Sequence, residues 1–138
     1  MAQAQRPAWV WAISLFFLGA SVAISAAFVL ALTGVIGLAP AQQAYLDKLT
    51  PLDFMLIGSV MTANLAGAFY LVQMRGAAVP LLVVGWGAGL FELAWHSVAK
   101  GWIAVLGAPG VVGFAAANLL SLIIIAYALG LARRGILR

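Results

Sequence analysis

The sequence predicts an all-α membrane protein, an antiparallel bundle of four transmembrane helices with both termini in the cytoplasm. Hydrophobic residues make up 66% of the 138-residue chain, and charged residues only 7%. A soluble domain carries roughly 25% charged and 45–50% apolar residues, so lipid must be the solvent for most of this surface. Four long apolar runs, separated by short polar breaks, supply the four helices.

Each apolar run is long enough to cross a bilayer, which takes about 20 helical residues. The predicted spans cover residues 8–38, 51–74, 77–99 and 111–132, in one integral membrane domain over residues 1–138. The first run is too long for the apolar part of a cleaved signal sequence, so we interpret it as a retained helix. Thr50, Pro51 and Asp53 predict the start of the second span, with Thr50 as N-cap and Asp53 completing a capping box.

The longest polar break, residues 39–50, predicts a short helix that begins at Pro40 and lies at the membrane interface. Four spans place both termini on one side of the membrane. The basic residues on that side are Arg6, Arg75, Arg133, Arg134 and Arg138, and those on the other are Lys48 and Lys100. Because basic residues favour the cytoplasmic side, we expect cytoplasmic termini in the inner membrane of a bacterium.

The third span contains two residues that are costly at membrane depth, Glu92 and the single histidine, His96. They are four positions apart, so they share one face of a helix, and Gly85 and Gly89 lie on that face. Glycine lets a second helix approach closely, so this face should point at a neighbouring helix. An acid within the membrane is by default a functional site.

Helical rise places Glu92 about 10 Å from the outer end of its span, near the depth of several other polar groups. We therefore expect a site for a ligand or a proton in the outer half of the bundle, centred on Glu92 and His96. The other residues expected in this site are Asn118, Ser59, Thr62, Asn64 and Trp95. The alternative is a structural lock, in which Glu92 bonds to His96 or Asn118 and no ligand enters.

Small residues recur at every fourth position in the spans, as close packing of membrane helices requires. The predicted packing residues are Gly19, Ala23, Gly58, Gly85, Gly89, Gly113 and Ala117. Two charged residues receive simpler roles. Lys100, at the end of a span, is expected to extend to the membrane surface, and Asp53 to cap its helix.

Three functions fit this pattern. The first is binding or translocation of a small solute or proton through the Glu92–His96 site. The second is a non-catalytic accessory or assembly subunit of a larger membrane complex, and the third is a membrane enzyme acting on a lipid or quinone. No GxSxG or HExxH arrangement is present, so the sequence favours a non-enzymatic role.

The composition also limits cofactors and partners. With no cysteine, one histidine and three acids, the chain is poorly equipped for a metal site, and we expect neither a metal nor another cofactor. The basic residues stand at the ends of spans, so we expect no nucleic-acid partner. The expected partners are the lipid bilayer and either a second copy of the chain or a larger membrane complex.

Overall fold

The structure, a computed structural model, describes residues 8–137, and the side chains from residue 11 onward. Five helices make up this part of the chain: α1 (Ala8–Leu32), α2 (Pro40–Leu46), α3 (Pro51–Val72), α4 (Ala78–Lys100) and α5 (Trp102–Arg133). Four of them, α1, α3, α4 and α5, are long and apolar enough to cross a membrane. The predicted all-helical class with four such helices is confirmed, whereas Arg6 and Arg138 lie outside the described residues.

Two helix boundaries differ from the prediction. Helix α1 ends at Leu32 and not near residue 38, because Gly34 adopts a left-handed φ of 73° that terminates the helix. Helix α5 begins at Trp102, directly after Gly101, whose φ of 71° turns the chain sharply out of α4. The break predicted before residue 111 is instead a kink within α5 at Gly107, where φ is 63° and ψ is 178°.

Helices α3 and α4 form an antiparallel hairpin around the short turn at residues 73–77. Gly67 faces Leu82, and Asn64 faces Gly85. Residues at equal distances in sequence from the turn therefore lie opposite each other. A Cβ atom on Gly85 would lie 2.6 Å from Asn64 Oδ1. The missing side chain therefore permits the close approach of the two helices.

The tightly packed core lies at the end of the bundle that holds the α3–α4 turn, which we call the core end. Its buried residues are Leu71, Met74, Ala78, Leu82, Ile124, Ile125, Ala128, Leu131 and Leu137. Ile13 and Phe17 of α1 pack against this cluster. The opposite end, which holds α2 and the α4–α5 junction, is the α2 end.

The helices pack in the order α1, α3, α4, α5, and the short α2 contacts α5. Helices α1 and α5 make at most marginal contact with each other. Gly85 and Gly89 face α3, in keeping with their predicted packing role. The bundle is therefore closed around α3 and α4 and loosely closed between its first and last helices.

The other predicted packing residues occupy different surroundings. A Cβ atom added to Gly19, Gly58 or Gly113 would meet no other atom within 4 Å, and Ala23 and Ala117 are exposed. We therefore correct the expectation that all four spans pack through small residues within this chain. The short turn between α3 and α4 brings these two helices close together, and some of their glycines face the partner helix. Between α1 and α5 lies a cavity, so small residues there meet no neighbouring helix.

Candidate functional site

Asp53, in the first turn of α3, occupies the centre of a charged cluster at the α2 end. Its Oδ2 atom accepts the backbone N–H of Thr50 at 2.7 Å, and Thr50 Oγ1 accepts the backbone N–H of Asp53 at 3.4 Å. The predicted capping box is thus confirmed. These bonds fix the carboxylate at the start of the helix, where it faces the last turns of α4.

The Asp53 carboxylate also binds three side chains of α4. Lys100 Nζ lies 2.7 Å from Oδ2, and His96 Nε2 lies 3.2 Å from Oδ1. Trp95 Nε1 donates to Oδ1 at 3.1 Å. Asp53 is only 2% exposed, so these contacts replace the water that a free carboxylate would bind. One carboxylate therefore joins the beginning of α3 to the end of α4.

Lys100 does more than extend to the membrane surface, and this expectation is corrected. Its ammonium group pairs with Asp53 and donates to the backbone carbonyl of Lys48 at 2.5 Å. Its side chain is only 11% exposed. The Asp53 carboxylate, in the first turn of α3, provides a stronger partner than water for the charge. The second bond ties the chain after α2 to the same cluster.

Tyr45 of α2 completes the surroundings of His96, and sequence reasoning did not assign it to the site. Its hydroxyl lies 2.8 Å from His96 Nδ1, and its ring lies 4.4 Å from that of Trp102 between centroids. Burial, together with the charges of Glu92 and Asp53, raises the pKa of Tyr45 to about 12. Because a carboxylate only accepts, the contact with Asp53 places a proton on His96 Nε2, and the Tyr45 hydroxyl can serve Nδ1 as donor or as acceptor.

Glu92 lies one turn before His96 on α4, and its Oε1 atom is 3.8 Å from His96 Nδ1. That separation permits charge attraction but exceeds hydrogen-bonding distance, and Nδ1 already contacts the Tyr45 hydroxyl. No hydrogen bond to the Glu92 carboxyl is present among the side chains of residues 11–137. The structure thus brings Glu92 and His96 together, but the nearer acid of the histidine is Asp53.

A cavity of about 370 Å³ lies between α1, α3, α4 and α5, next to the charged cluster. This volume falls within the range of roughly 300–1,000 Å³ that is usual for small-molecule sites. The polar side chains that line it are Tyr45, Asn64, Glu92, His96, Asn118 and Ser121. Other lining residues are aromatic, namely Phe28, Trp86, Trp102 and Phe114. The cavity is therefore largely apolar, with polar groups contributed by α2, α3, α4 and α5.

The cavity reaches the outer surface of the bundle between α1 and α5. Ile24 of α1 and Ala117 of α5 both line it, and both are exposed, Ile24 by 67%. Since these two helices scarcely touch, no packed interface separates the cavity from the surroundings there. Ile24 and Ala117 lie well inside the apolar helices α1 and α5, so the gap opens on the side of the bundle and not at a helix end.

Two of the remaining predicted site residues line the cavity, and three do not. Asn64 and Asn118 lie in its wall. Ser59 and Thr62 border a separate, shallow depression on another face of α3, and each hydroxyl donates to a carbonyl one turn earlier, at 2.7 Å. Trp95 is 46% exposed and directs its N–H at Asp53. Ser59, Thr62 and Trp95 lie at a similar depth to the cavity, but their side chains are on other faces of their helices.

Long apolar helices around a charged cluster and a cavity give the chain the architecture of a multi-pass membrane protein. No protein-family model matches the sequence, and comparison with curated proteins and with solved structures finds no match either. Within the described part of the chain, no group of three or more His, Cys, Asp or Glu side chains could hold a metal ion. The function must therefore be argued from the site.

Proposed function

We propose that this protein binds a small solute or proton in its intramembrane cavity, at Glu92 and His96. The observation that carries the proposal is the Glu92 carboxyl, which faces the cavity without a hydrogen-bond partner among the described residues. A polar group left unpaired in apolar surroundings is costly, and a bound donor removes that cost. The structural lock is less suited to these contacts, because the bonds of His96 go to Asp53 and Tyr45.

We further propose that the core end faces the cytoplasm and the α2 end the outside of the cytoplasmic membrane. Arg75, Arg133 and Arg134 stand at the core end, whereas Lys48 and Lys100 stand at the α2 end. Basic residues favour the cytoplasmic side of a membrane, and three arginines stand at the core end against two lysines at the α2 end. In this arrangement α2 lies at the outer interface, and the cavity occupies the outer half of the bundle.

The closed core end favours a binding site over an open channel. Leu71, Leu82 and Ile124 belong to the buried cluster that fills the bundle beyond the cavity. A translocation cycle therefore requires a second conformation in which this end opens. Helices α1 and α5 are the natural moving parts, because each packs mainly on one neighbouring transmembrane helix.

Tryptophan fluorescence tests the site, since Trp86 and Trp102 line the cavity. The purified protein in lipid nanodiscs is titrated with benzylamine, benzyl alcohol and phenylacetate, which differ in their polar groups. Saturable quenching by the amine or the alcohol, weakened about tenfold by Glu92→Gln, supports the proposal, since one lost charge-assisted hydrogen bond is worth about that much. Asp47→Asn, at an exposed carboxylate, is the matched control.

Two results would overturn the proposal. One is saturable binding that is equally tight in wild type, Glu92→Gln and His96→Ala. The other is the absence of saturable binding by all three probes. Either result would exclude the Glu92–His96 region as a binding site of this kind.

A second function, chemistry on a lipid or quinone, is favoured by the gap between α1 and α5, which would admit a lipid-soluble substrate. Glu92 and His96 could then exchange a proton with that substrate. Mass spectrometry of lipids recovered from nanodiscs, with and without added ubiquinone-10, distinguishes the two functions. A product that forms with wild type and not with Glu92→Gln supports an enzyme, and unchanged lipids and quinone support binding.

A further inference from the structure

We propose that the ligand is a lipid-soluble amine, with a protonated amino head group and one apolar chain, which reaches the cavity sideways from the membrane between α1 and α5. This inference rests on the proposed function. It specifies the ligand class and the route of the same site.

The charges around the cavity point to a cationic head group. Asp53 is compensated by Lys100 at 2.7 Å, so this pair carries no net charge. Among the described residues, no lysine or arginine lines the cavity, and the carboxyl that faces it is Glu92. The nearest basic group to the Glu92 carboxyl is His96, whose Nδ1 lies 3.8 Å away and already contacts Tyr45, so a ligand ammonium supplies a closer counter-charge.

Aromatic rings strengthen the argument for an ammonium group. Trp86, Trp102 and Phe114 line the cavity together with Glu92. The face of an aromatic ring attracts a cation, and tryptophan does so best. Phe28 adds a ring from the α1 side. A neutral alcohol could bond to Glu92, but it would gain little from these rings.

The rest of the wall suits hydrocarbon. Its aliphatic residues are Ile24, Ile57, Val60, Met61 and Leu93. A volume of about 370 Å³ accommodates the head group and the first part of one chain, while the rest of the chain extends through the gap into lipid. The chain gains little free energy by exchanging lipid for this wall, so selectivity resides in the head group.

Both ends of the bundle are closed, so the route from the surroundings to the cavity is through its side. The core end is filled by the buried apolar cluster. At the α2 end, the rings of Tyr45 and Trp102 line the cavity with their centroids 4.4 Å apart, and Lys100 donates to the chain after α2. Between α1 and α5, by contrast, Ile24 and Ala117 connect the cavity to the lipid-facing surface.

The head group is tested with dodecylamine and dodecanol, which share one chain. Affinities are expressed as mole fractions in the nanodisc lipid, so that partitioning into the membrane cancels. Dodecylamine should bind about tenfold more tightly than dodecanol, and Glu92→Gln should reduce that difference to the part that the aromatic rings supply, whereas Asp47→Asn should keep it in full. Equal affinity of the two probes in wild type would overturn the amine class.

The route is tested by stopped-flow fluorescence with dodecylamine. Ala117→Phe narrows the gap, and Ala116→Phe, at an exposed neighbour outside the cavity lining, is the matched control. Association should be about tenfold slower in the first variant than in the second, because a steric barrier of about 1.4 kcal/mol has that effect. Ile24→Ala, which widens the gap, should speed association. Rates that are equal in all three variants would overturn lateral access.

The outcomes separate this inference from the proposed function. Benzylamine binding that depends on Glu92, without dodecylamine binding, preserves the function and overturns the lipid-soluble class. If none of the four compounds binds (benzylamine, dodecylamine, benzyl alcohol and phenylacetate), both the inference and the proposed function are overturned.

Discussion

Asp53→Asn is the most informative single substitution, because one carboxylate holds α3 to α4. Asparagine has nearly the same shape, and its oxygen can still accept the Thr50 N–H, so the helix cap is retained. The substitution removes the negative charge 2.7 Å from Lys100 Nζ, and it places an NH2 group where Oδ1 accepts from Trp95 and contacts His96 Nε2.

The expected loss of stability follows from burial of the pair. Removing one partner of a buried ion pair costs roughly 3–5 kcal/mol, because the other charge is left uncompensated. The Lys100 side chain is 11% exposed and can turn outward, so we expect the lower limit, about 3 kcal/mol. Lys100→Met should also destabilise, and the double variant should lose about 2 kcal/mol less than the sum of the two.

Reversible unfolding by sodium dodecyl sulfate in bicelles measures these free energies. Asp47→Asn removes an exposed carboxylate and should remain within about 0.5 kcal/mol of wild type. The reasoning would be refuted by an Asp53→Asn variant as stable as this control. Additive effects in the double variant would show that the two side chains do not interact.

Three further outcomes are expected in the same unfolding assay. Tyr45→Phe removes the 2.8 Å contact with His96 and should cost about 1 kcal/mol, whereas an unchanged stability would argue against that hydrogen bond. The pKa of Tyr45 is raised from 10.0 to about 12 in the fold, so its contribution is complete below pH 10 and is lost as pH rises to 12. Wild type should therefore lose more stability than Tyr45→Phe over that interval, and parallel pH profiles would contradict this. Gly85→Ala places a Cβ atom 2.6 Å from Asn64 Oδ1 and should cost about 1–3 kcal/mol, whereas Gly87→Ala, which has open space, should be neutral; equal effects of the two would refute close packing there.

The four long helices were predictable because length and hydropathy are properties of each segment by itself. The cap at Thr50 and Asp53 was predictable for a similar reason, since all its bonds join residues within one helical turn. The end of α1 and the start of α5 could not be predicted in this way. Glycines 34, 101 and 107 adopt positive φ, and a glycine does so only where the surrounding chain requires it.

The site was predicted in part. The shared face of Gly85, Glu92 and His96 follows from the helical period alone, and Gly85 and His96 are buried there. The bond between Asp53 and His96 depends on how two helices are aligned, which the period of one helix does not reveal. A signal was nevertheless present: the two residues stand at nearly equal distances from the α3–α4 turn, as partners in an antiparallel hairpin must.

The Asp53–Lys100 pair also bears on how the chain enters the membrane. In the proposed orientation, the far ends of α3 and α4 carry these two charges across the bilayer during biogenesis. A lone aspartate or lysine costs about 2.5–3.5 kcal/mol at the centre of a translocating helix. Paired at 2.7 Å, as they are in the fold, the two side chains would cross as a neutral unit. The alignment of the hairpin therefore predicts that α3 and α4 leave the insertion machinery together and not one after the other.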